Sequence, residues 1–507
     1  MSHHGSHADV ADILIVGGGS AGAVLAARLS QDPDRRVTLL EAGPAYAAPD
    51  FPAGLRDATV IADPAHDWGY TSRAGAGSQS IPTPRGKVLG GSSAVNAGAA
   101  LRPRPADFAV WSEHGLTDWT FDDVLPVFRA LESTPTGADV YHGRTGPMPV
   151  RQHGHEDLSP AQRGFIEAGV ALGHKRIADF NGAEQRGIGG HAVNVVDGVR
   201  QNTATVYLTP EVRSRPNLAV SGGVTVDRVL FEGTTAVGVV AADGTEYRGR
   251  EVILSAGSYG TAAILLRSGI GPADDLTALG IPVLVDLPVG QRLQDHPFFH
   301  TIYALAADDL TMTPAIGALL WTASSEAVGD ELDLHVVAAH PHEAPFSPTG
   351  GAVILSAALV RPESRGSVRL ADRDPLTAPV IDDNYLGTER DRRRMLEGAK
   401  LVRALVAEPS LTPLLAGELT PGFDGDDDAE LVRVIETNLS VYGHPTSTAP
   451  MGGDGDPWAV VDARGAVKGL NGLRAIDASI IPQIPSTVTN LTVIMIAERL
   501  ARLVYEA

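Results

Sequence analysis

The chain has 507 residues, of which 43% are hydrophobic and 20% charged, the balance of a globular protein long enough for two domains or more. Its 61 acidic and 40 basic side chains give a formal net charge of −21, which repels nucleic-acid phosphates and anionic membrane surfaces. With no cysteine, disulfides, thiolate catalysis, iron–sulfur clusters and cysteine–zinc sites are excluded.

The apolar segments of the chain are short. No apolar run of signal-peptide length precedes the first predicted strand, and no run of about 18 apolar residues follows later. These features predict a cytoplasmic protein without a membrane anchor. They leave its oligomeric state open.

The first predicted elements form a βαβ unit. The apolar run DILIV at 12–16 ends at a glycine cluster and leads into AGAVLAARLS, a pattern that predicts a strand, a tight turn and a helix. VTLLEAG at 37–43 predicts a second strand with an acidic residue at its end. Such a unit is typical of the opening of a parallel, doubly wound sheet.

The glycines of this unit have the spacing of a dinucleotide-binding turn. Gly17, Gly19 and Gly22 make G-x-G-x-x-G between strand and helix, where backbone N–H groups meet a pyrophosphate. Glu41 follows about 20 residues later, at the place of a carboxylate that accepts both ribose hydroxyls. The carboxylate disfavours NADP. The unit alone leaves the choice between FAD and NAD open.

The middle of the chain begins with a loop-rich region over 44–84, of a kind that usually covers a surface or a site. A glycine- and serine-rich segment follows at 86–105. Helices are predicted at 122–131 and 160–172. Strands within 217–231, 235–244 and 246–257 are interpreted as additions to the first sheet.

The second half of the chain predicts a mostly antiparallel domain. Strand patterns occur at 334–340, 351–360 and 366–372, before a helical stretch at 390–407. The last fifty residues contain a strand pattern, GLRAIDAS, a proline-rich loop and a helix at 490–507. The predicted fold class is therefore α/β, or α+β overall, with a parallel nucleotide-binding sheet and a largely antiparallel second domain.

Longer segments resemble a known family. The resemblance is carried, in the family's order, by GKVLGGSSAVNAGAALRPRPADFAVW at 86–111, SAGSYGTAAILLRSGIG at 255–271, PVGQRLQDHP at 288–297, GHPTSTAPMGG at 443–453 and GLRAIDASIIPQIPSTVTNLTVIMIAE at 472–498. With the N-terminal unit they span nearly the whole chain. The chain resembles the glucose-methanol-choline (GMC) oxidoreductases.

The resemblance implies FAD-dependent oxidation of a primary or secondary alcohol, with hydride passing to flavin N5 and oxygen or another acceptor reoxidising the flavin. A hydroxynitrile-lyase-like enzyme on the same scaffold is the alternative. A discontinuous, Rossmann-like FAD-binding domain is expected at 8–105, 205–300 and 455–507. The substrate domain is expected at 106–204 and 301–454.

Cofactor-binding residues are carried over by position. The resemblance assigns the ADP half of FAD to Gly17, Gly19, Ser20, Ala21, Gly22, Glu41 and Ala42, with Val226 at adenine. It assigns the pyrophosphate and flavin to Val88, Gly91, Ser92, Asn96, Ala97, Gly98, Ala99, Asp477 and Ala478. Val95 stands where some members carry the histidine that bonds FAD covalently, so non-covalent FAD is predicted.

The predicted catalytic residues are His444 and Asn490. His444 matches the family's histidine that takes the alcohol proton, and an imidazole with an ordinary pKa of about 6.5 is a usable base near neutral pH. The family's second polar residue falls here on Val488, while Asn490 stands two positions later. Whether Asn490 or Val488 faces His444 is left open. No metal site is expected.

Overall fold

The computed structural model of the chain describes residues 10–73, 80–422, 425 and 427–505. Its main features are two seven-stranded sheets. The first sheet takes its strands from residues 11–40, 218–254 and 473–475, and the second takes them from residues 187–441. The chain therefore returns to the first sheet after each excursion into the second.

The first sheet has a parallel centre and an antiparallel extension. Its central strands are short, aliphatic and buried on both faces, as expected for parallel strands covered by helices. In spatial order the strands are Leu218–Ser221, Val37–Leu40, Ala11–Val16, Glu246–Leu254, Thr235–Ala241 and Val226–Glu232, with Leu473–Ala475 also parallel to Glu246–Leu254.

The second sheet is antiparallel throughout. In spatial order its strands are Leu415–Thr420, Pro297–Leu305, Ala352–Leu359, Leu334–Ala339, Ile316–Thr322 and Gly187–Gly190, with Leu439–Val441 also paired to Pro297–Leu305. Helices Pro160–Ala171 and Glu389–Val406 share an apolar core with one face of this sheet. Its other face turns toward a cavity.

Several helices begin at a residue whose side chain satisfies a free backbone N–H group of the first turn. Ser159, Thr120 and Thr388 each accept a hydrogen bond from a backbone N–H of the first turn. The α-helices are Gly22–Leu29, Ala53–Arg56, Pro105–Glu113, Phe121–Leu131, Pro160–Ala171, Thr203–Tyr207, Pro210–Arg213, Gly257–Arg267, Ala273–Ala278, Glu389–Val406, Asp428–Thr437 and Asn490–Tyr505. Over the ranges given above, no helix is long and apolar enough to cross a membrane.

The structure also contains four smaller sheets among the described residues. One contains the four strands Ser367–Arg369, Val380–Asp382, Thr71–Arg73 and Ser80–Pro82. The two-stranded pairs are Glu132–Ser133 with Met148–Pro149, Arg151–Gln152 with Ala192–Val193, and Val195–Val196 with Val199–Arg200.

The predicted fold class is confirmed, as are the helices expected at 122–131, 160–172 and 390–407 and the start of the helix at 490. The strand expected at 366–372 is real but belongs to the four-stranded sheet. Strands Pro297–Leu305 and Ile316–Thr322 were missed, because apolar residues on both faces hide the period of two. The predicted domain boundaries stay predictions.

Candidate active site

A cavity of about 710 Å³ lies between the two large sheets. Val16, Leu40 and Ser255, at or just beyond the carboxyl ends of three parallel strands, line one side of it. Ligands of open α/β sheets bind at this edge. Phe298, His300, Ile354 and Ser356 of the second sheet line the opposite side, so the cavity joins a nucleotide-type edge to an antiparallel wall.

The glycine turn after the first strand is tightly packed. Gly17 has φ +94°, and a Cβ there would lie 2.5 Å from the carbonyl oxygen of Ser255. A Cβ on Gly22 would lie 1.9 Å from the carbonyl oxygen of Gly17. Glycine is therefore required at both positions, and the helix that begins at Gly22 starts directly at the turn.

Glu41 closes this turn from the next strand. Its two carboxylate oxygens accept the N–H groups of Gly18 and Gly43, each at 2.8 Å. Burial raises the pKa of Glu41 to about 7, opposed by these N–H groups and by Lys87. Each carboxylate oxygen keeps a second lone pair, so the predicted bonds to ribose hydroxyls remain available.

A second glycine loop crosses the first. Gly91 has φ +51°, and a Cβ there would lie 2.7 Å from Gly19 Cα. After it, Asn96 Oδ1 accepts the N–H of Gly98 at 2.9 Å and turns the chain along the cavity. Of the predicted cofactor residues, the cavity is lined by Gly17, Gly19, Ser20, Ala21, Glu41, Ala42, Gly91, Ser92, Asn96, Ala97, Ala99, Val226, Asp477 and Ala478. Gly22, Val88 and Gly98 support the wall from behind.

Asp477 links the C-terminal part of the chain to the end of the cavity that carries the glycine loops, which we call the cofactor end. Its carboxylate accepts the N–H groups of Gly257 and Ser479, each at 2.8 Å, and the hydroxyl of Thr261 at 2.5 Å. Burial raises its pKa. The carboxylate thus fixes the start of helix Gly257–Arg267 against the segment that carries Ala478.

These residues fit FAD. The two glycine loops leave a cradle that a Cβ would fill, and Glu41 lines the cavity beside them, where the sequence motif predicts the ribose. Asn490 lines the same cavity, and its buried Nδ2 has no hydrogen-bond partner among the residues that the structure describes. Val95 lines the cavity too, and an aliphatic side chain has no atom that could bond to a flavin. Binding at this position is therefore non-covalent.

His444 lies at the other end of the cavity, half-buried in its wall. Its Nδ1 is 3.0 Å from Nδ1 of His296, a fully buried residue. Asp295 Oδ1 accepts the backbone N–H groups of both histidines, each at 2.7 Å. Asp295 Oδ2 accepts the Tyr385 hydroxyl at 3.0 Å, which fixes the carboxylate itself.

The histidines of this end are held neutral. Burial, followed by the unfavourable proximity of His296, Arg85 and His335 to a protonated ring, lowers the pKa of His444 well below its usual value. Burial lowers the pKa of His296 to about 3. At neutral pH both rings are therefore uncharged.

Two buried carboxyl groups lie behind them. Burial raises the pKa of Asp295 to about 6, against the charge of Arg85. Burial and the neighbouring Asp295 raise the pKa of Asp383 to about 8. Arg85 Nη1 donates to the carbonyl oxygen of Gly443 at 2.9 Å, so its guanidinium is anchored one residue from His444.

Asn490 and Val488 both line the cavity, but the hydrogen bond of Asn490 leads to the cofactor end. Its Oδ1 accepts the Ser20 hydroxyl at 2.9 Å. The ring of His444 contacts His296 instead, a residue to which the sequence analysis gave no role. The motif QRLQDHP contained a signal for a role of His296, because its Asp–His pair stands directly before a strand. The catalytic role predicted for Asn490 stays a prediction.

Comparison with known proteins gives concordant results. The family model described as GMC oxidoreductase matches residues 11–298 with its N-terminal part and 362–497 with its C-terminal part. An oxygen-dependent choline dehydrogenase of Vibrio vulnificus is 34% identical over 530 residues, covering 97% of this chain and 94% of that protein. A mitochondrial choline dehydrogenase of Mus musculus is 35% identical over 534 residues, covering 97% of this chain and 89% of that protein.

A solved structure agrees with both. The crystal structure of pyridoxine 4-oxidase from Mesorbium loti has a TM-score of 0.89 and 35% identity, and covers 98% of this chain and 99% of that chain. The family models together match more than half of the present chain. The chain therefore belongs to the GMC oxidoreductases, FAD enzymes that act on CH–OH groups, which confirms the resemblance, the cofactor and the enzyme class predicted from the sequence.

Proposed function

We propose that His444 accepts the hydroxyl proton of a primary or secondary alcohol as the alcohol carbon becomes an aldehyde or ketone, and that His296 orients the His444 ring. When bound, FAD supplies the acceptor for the hydride that leaves this carbon. The observation that carries the proposal is the 3.0 Å contact between the two Nδ1 atoms at the cavity wall.

The contact between the Nδ1 atoms of His296 and His444 restricts which ring nitrogens can carry protons. Of two neutral imidazoles in contact, one must donate and the other accept. We assign the donor role to Nδ1–H of His444, which leaves the lone pair on its Nε2 for the substrate hydroxyl. Burial keeps the ring neutral, and the neutral ring is the form that accepts a proton.

Asp295 supports this arrangement through the backbone. One oxygen accepts the N–H groups of His296 and His444, so these two distant parts of the chain are held against each other. The hydroxyl of Tyr385 fixes the other oxygen. In this proposal Asp295 is a positioning residue, because it acts through the two histidines rather than on the substrate.

Asn490 then serves the cofactor rather than the alcohol. Its contact with Ser20 places it beside the first glycine turn, and its free Nδ2 is a donor buried at the cavity wall. Such a group is stabilised by an acceptor on the ligand. We propose that His296 occupies the role beside His444 that the sequence prediction gave to Asn490.

The relatives leave the substrate open. Choline, named for two of them, is a flexible quaternary ammonium compound, whereas pyridoxine, named for the third, has an aromatic ring. The predicted hydroxynitrile-lyase alternative gains no support from these proteins. Reoxidation by oxygen or by another carrier, and a cytoplasmic location, stay predictions.

The test is an anaerobic spectrum of the purified holoenzyme with aromatic, aliphatic, sugar and amino alcohols, followed by admission of air. Bleaching of the flavin by an alcohol is the expected result. Recovery in air then identifies oxygen as an acceptor, and no recovery points to another carrier. A bound flavin that no alcohol bleaches would contradict the proposal.

A further inference from the structure

The substrate half of the cavity has a wall of consecutive rings. Tyr442 lies against His444 with ring centroids 4.4 Å apart, and Phe298 stacks on Tyr442 at 4.2 Å with planes only 17° apart. The ring of His300 contacts that of Phe298 edge-on, with centroids 4.7 Å apart. All four side chains line the cavity. The wall, which we call the ring wall, therefore has an aromatic centre and an imidazole at each end.

Strand pairing holds the ring wall rigid. Phe298 and His300 point the same way from strand Pro297–Leu305, since alternate residues of a strand share a face. Strand Leu439–Val441 pairs with the beginning of this strand and brings Tyr442 over Phe298. Backbone hydrogen bonds thus set the spacing of the rings, so the distance between the two imidazoles is built into the sheet.

The imidazole of His300, at the end of the ring wall away from His444, has a hydrogen-bonding partner on the neighbouring strand. His300 and Ser356 are directly opposite each other on neighbouring strands, and His300 Nδ1 lies 2.7 Å from Ser356 Oγ. Among the described residues, the hydrogen bond of the His300 ring is made by Nδ1, so its Nε2 remains available for a ligand. Burial lowers the pKa of His300 to about 4, so the ring is neutral and Nε2 either donates or accepts, according to the direction of the serine hydroxyl.

The neighbours of His300 on the cavity-facing side of the second sheet are mostly apolar, namely Ile316, Val337, Ala339 and Ile354. Elsewhere the cavity lining also includes the polar residues Arg85, His340 and His342. Among the described residues, the acidic side chains that line the cavity are Glu41 and Asp477, both at the cofactor end. The His300–Ser356 pair is thus a polar spot on an apolar surface, the arrangement that orients a ligand by one hydrogen bond.

We propose that the substrate is an uncharged, planar alcohol of the arylmethanol class, whose ring packs against the edges of the ring wall and whose second hydrogen-bonding group binds His300. The alcohol group then lies at His444, at the opposite end of the ring. This inference rests on the proposed function, because it takes His444 as the reacting end. A quaternary ammonium group has no N–H to offer His300, so choline would lack this bond.

The test compares p-hydroxybenzyl alcohol with p-methylbenzyl alcohol, which are similar in size and differ in the group that meets His300. We expect the wild-type holoenzyme to prefer the first in kcat/KM by at least about tenfold, which corresponds to about 1.4 kcal/mol. In His300→Leu this preference is lost, mainly through KM. Ser356→Ala, a smaller change, reduces it in part. His174→Leu, at a half-buried histidine outside the cavity, leaves it unchanged.

Binding provides a second readout. The dissociation constant of p-hydroxybenzaldehyde, followed through the absorbance of the bound flavin, should rise at least about tenfold in His300→Leu, which corresponds to about 1.4 kcal/mol. An unchanged alcohol preference in both His300→Leu and Ser356→Ala would overturn the inference, and so would bleaching by choline but by neither aromatic alcohol. In both cases the proposed alcohol oxidation would stand, whereas the absence of bleaching by any alcohol would overturn that function itself.

Discussion

The two ends of the cavity are built in different ways. The cofactor end is formed by backbone, with two glycine loops in contact and carboxylates that accept backbone N–H groups. The catalytic end is formed by side chains from distant parts of the chain, which meet at His444 and His296. The first end should therefore fail when a Cβ is added, and the second when a polar atom is removed.

The largest expected effect is at the cofactor end. Gly22→Ala would place a Cβ 1.9 Å from the carbonyl oxygen of Gly17, so the turn must open and the pyrophosphate site is lost. We expect almost no FAD to copurify with this variant, as measured by the ratio of flavin to protein absorbance. Gly455→Ala is the matched control, since its Cβ would enter open space. Full flavin content in Gly22→Ala would contradict the expectation that the cofactor end fails when a Cβ is added.

The next largest effect is expected at His444, the proposed catalytic base. His444→Gln keeps a polar side chain but removes the proton acceptor, and loss of a general base typically costs about 10²–10⁴ in rate. Flavin content should stay normal, because the two glycine loops and Glu41, which are expected to hold the ADP half of FAD, are unchanged in this variant. The rate of flavin reduction by alcohol under anaerobic conditions measures the change. A decrease of less than about tenfold, or 1.4 kcal/mol, would assign the base to another residue.

Two smaller effects distinguish the proposed role of His296 in catalysis from that of Asn490 in cofactor binding. His296→Leu removes the partner of the His444 ring and should raise the barrier by roughly 1–3 kcal/mol, with FAD content unchanged. Asn490→Ala removes the contact with Ser20 and should weaken FAD binding, with little change in kcat at saturating FAD. FAD titration of the apoprotein and kcat measure the two effects. The opposite pattern would restore the predicted catalytic role of Asn490.

The same contrast explains what the sequence could predict. The glycine turn and Glu41 belong to one short strand–turn–helix–strand unit, where spacing along the chain specifies the geometry. His296 and His444 come from segments whose contact depends on how strands Pro297–Leu305 and Leu439–Val441 pair. The first of these strands was not predicted from the sequence, so the contact between His444 and His296 was not expected. The motifs of the family pointed to His444 from the sequence alone. Its contact with His296 could be found only from the folded structure.

The smallest expected effect concerns the charge buried behind His444. The folded-state pKa of Asp383, about 8, is above the ordinary value of 3.8, so the folded protein retains a proton that the unfolded chain has released. This difference lowers stability as pH rises from the unfolded to the folded pKa, by at most about 1.4 kcal/mol per pH unit, and has no further effect above it. Asp383→Asn removes the titrating group and keeps its shape.

The stability gain of Asp383→Asn over wild type should therefore grow with pH up to about 8 and then level off. Urea unfolding of both holoenzymes across this range measures it, with midpoints compared at each pH. Asp382→Asn is the control, because the neighbouring carboxylate is less buried and has a hydrogen bond from Asn384. Parallel curves for Asp383→Asn and wild type would mean that Arg85 neutralises the charge of Asp383. The catalytic end would then tolerate a full negative charge, and its histidines would be less isolated from titration than their burial indicates.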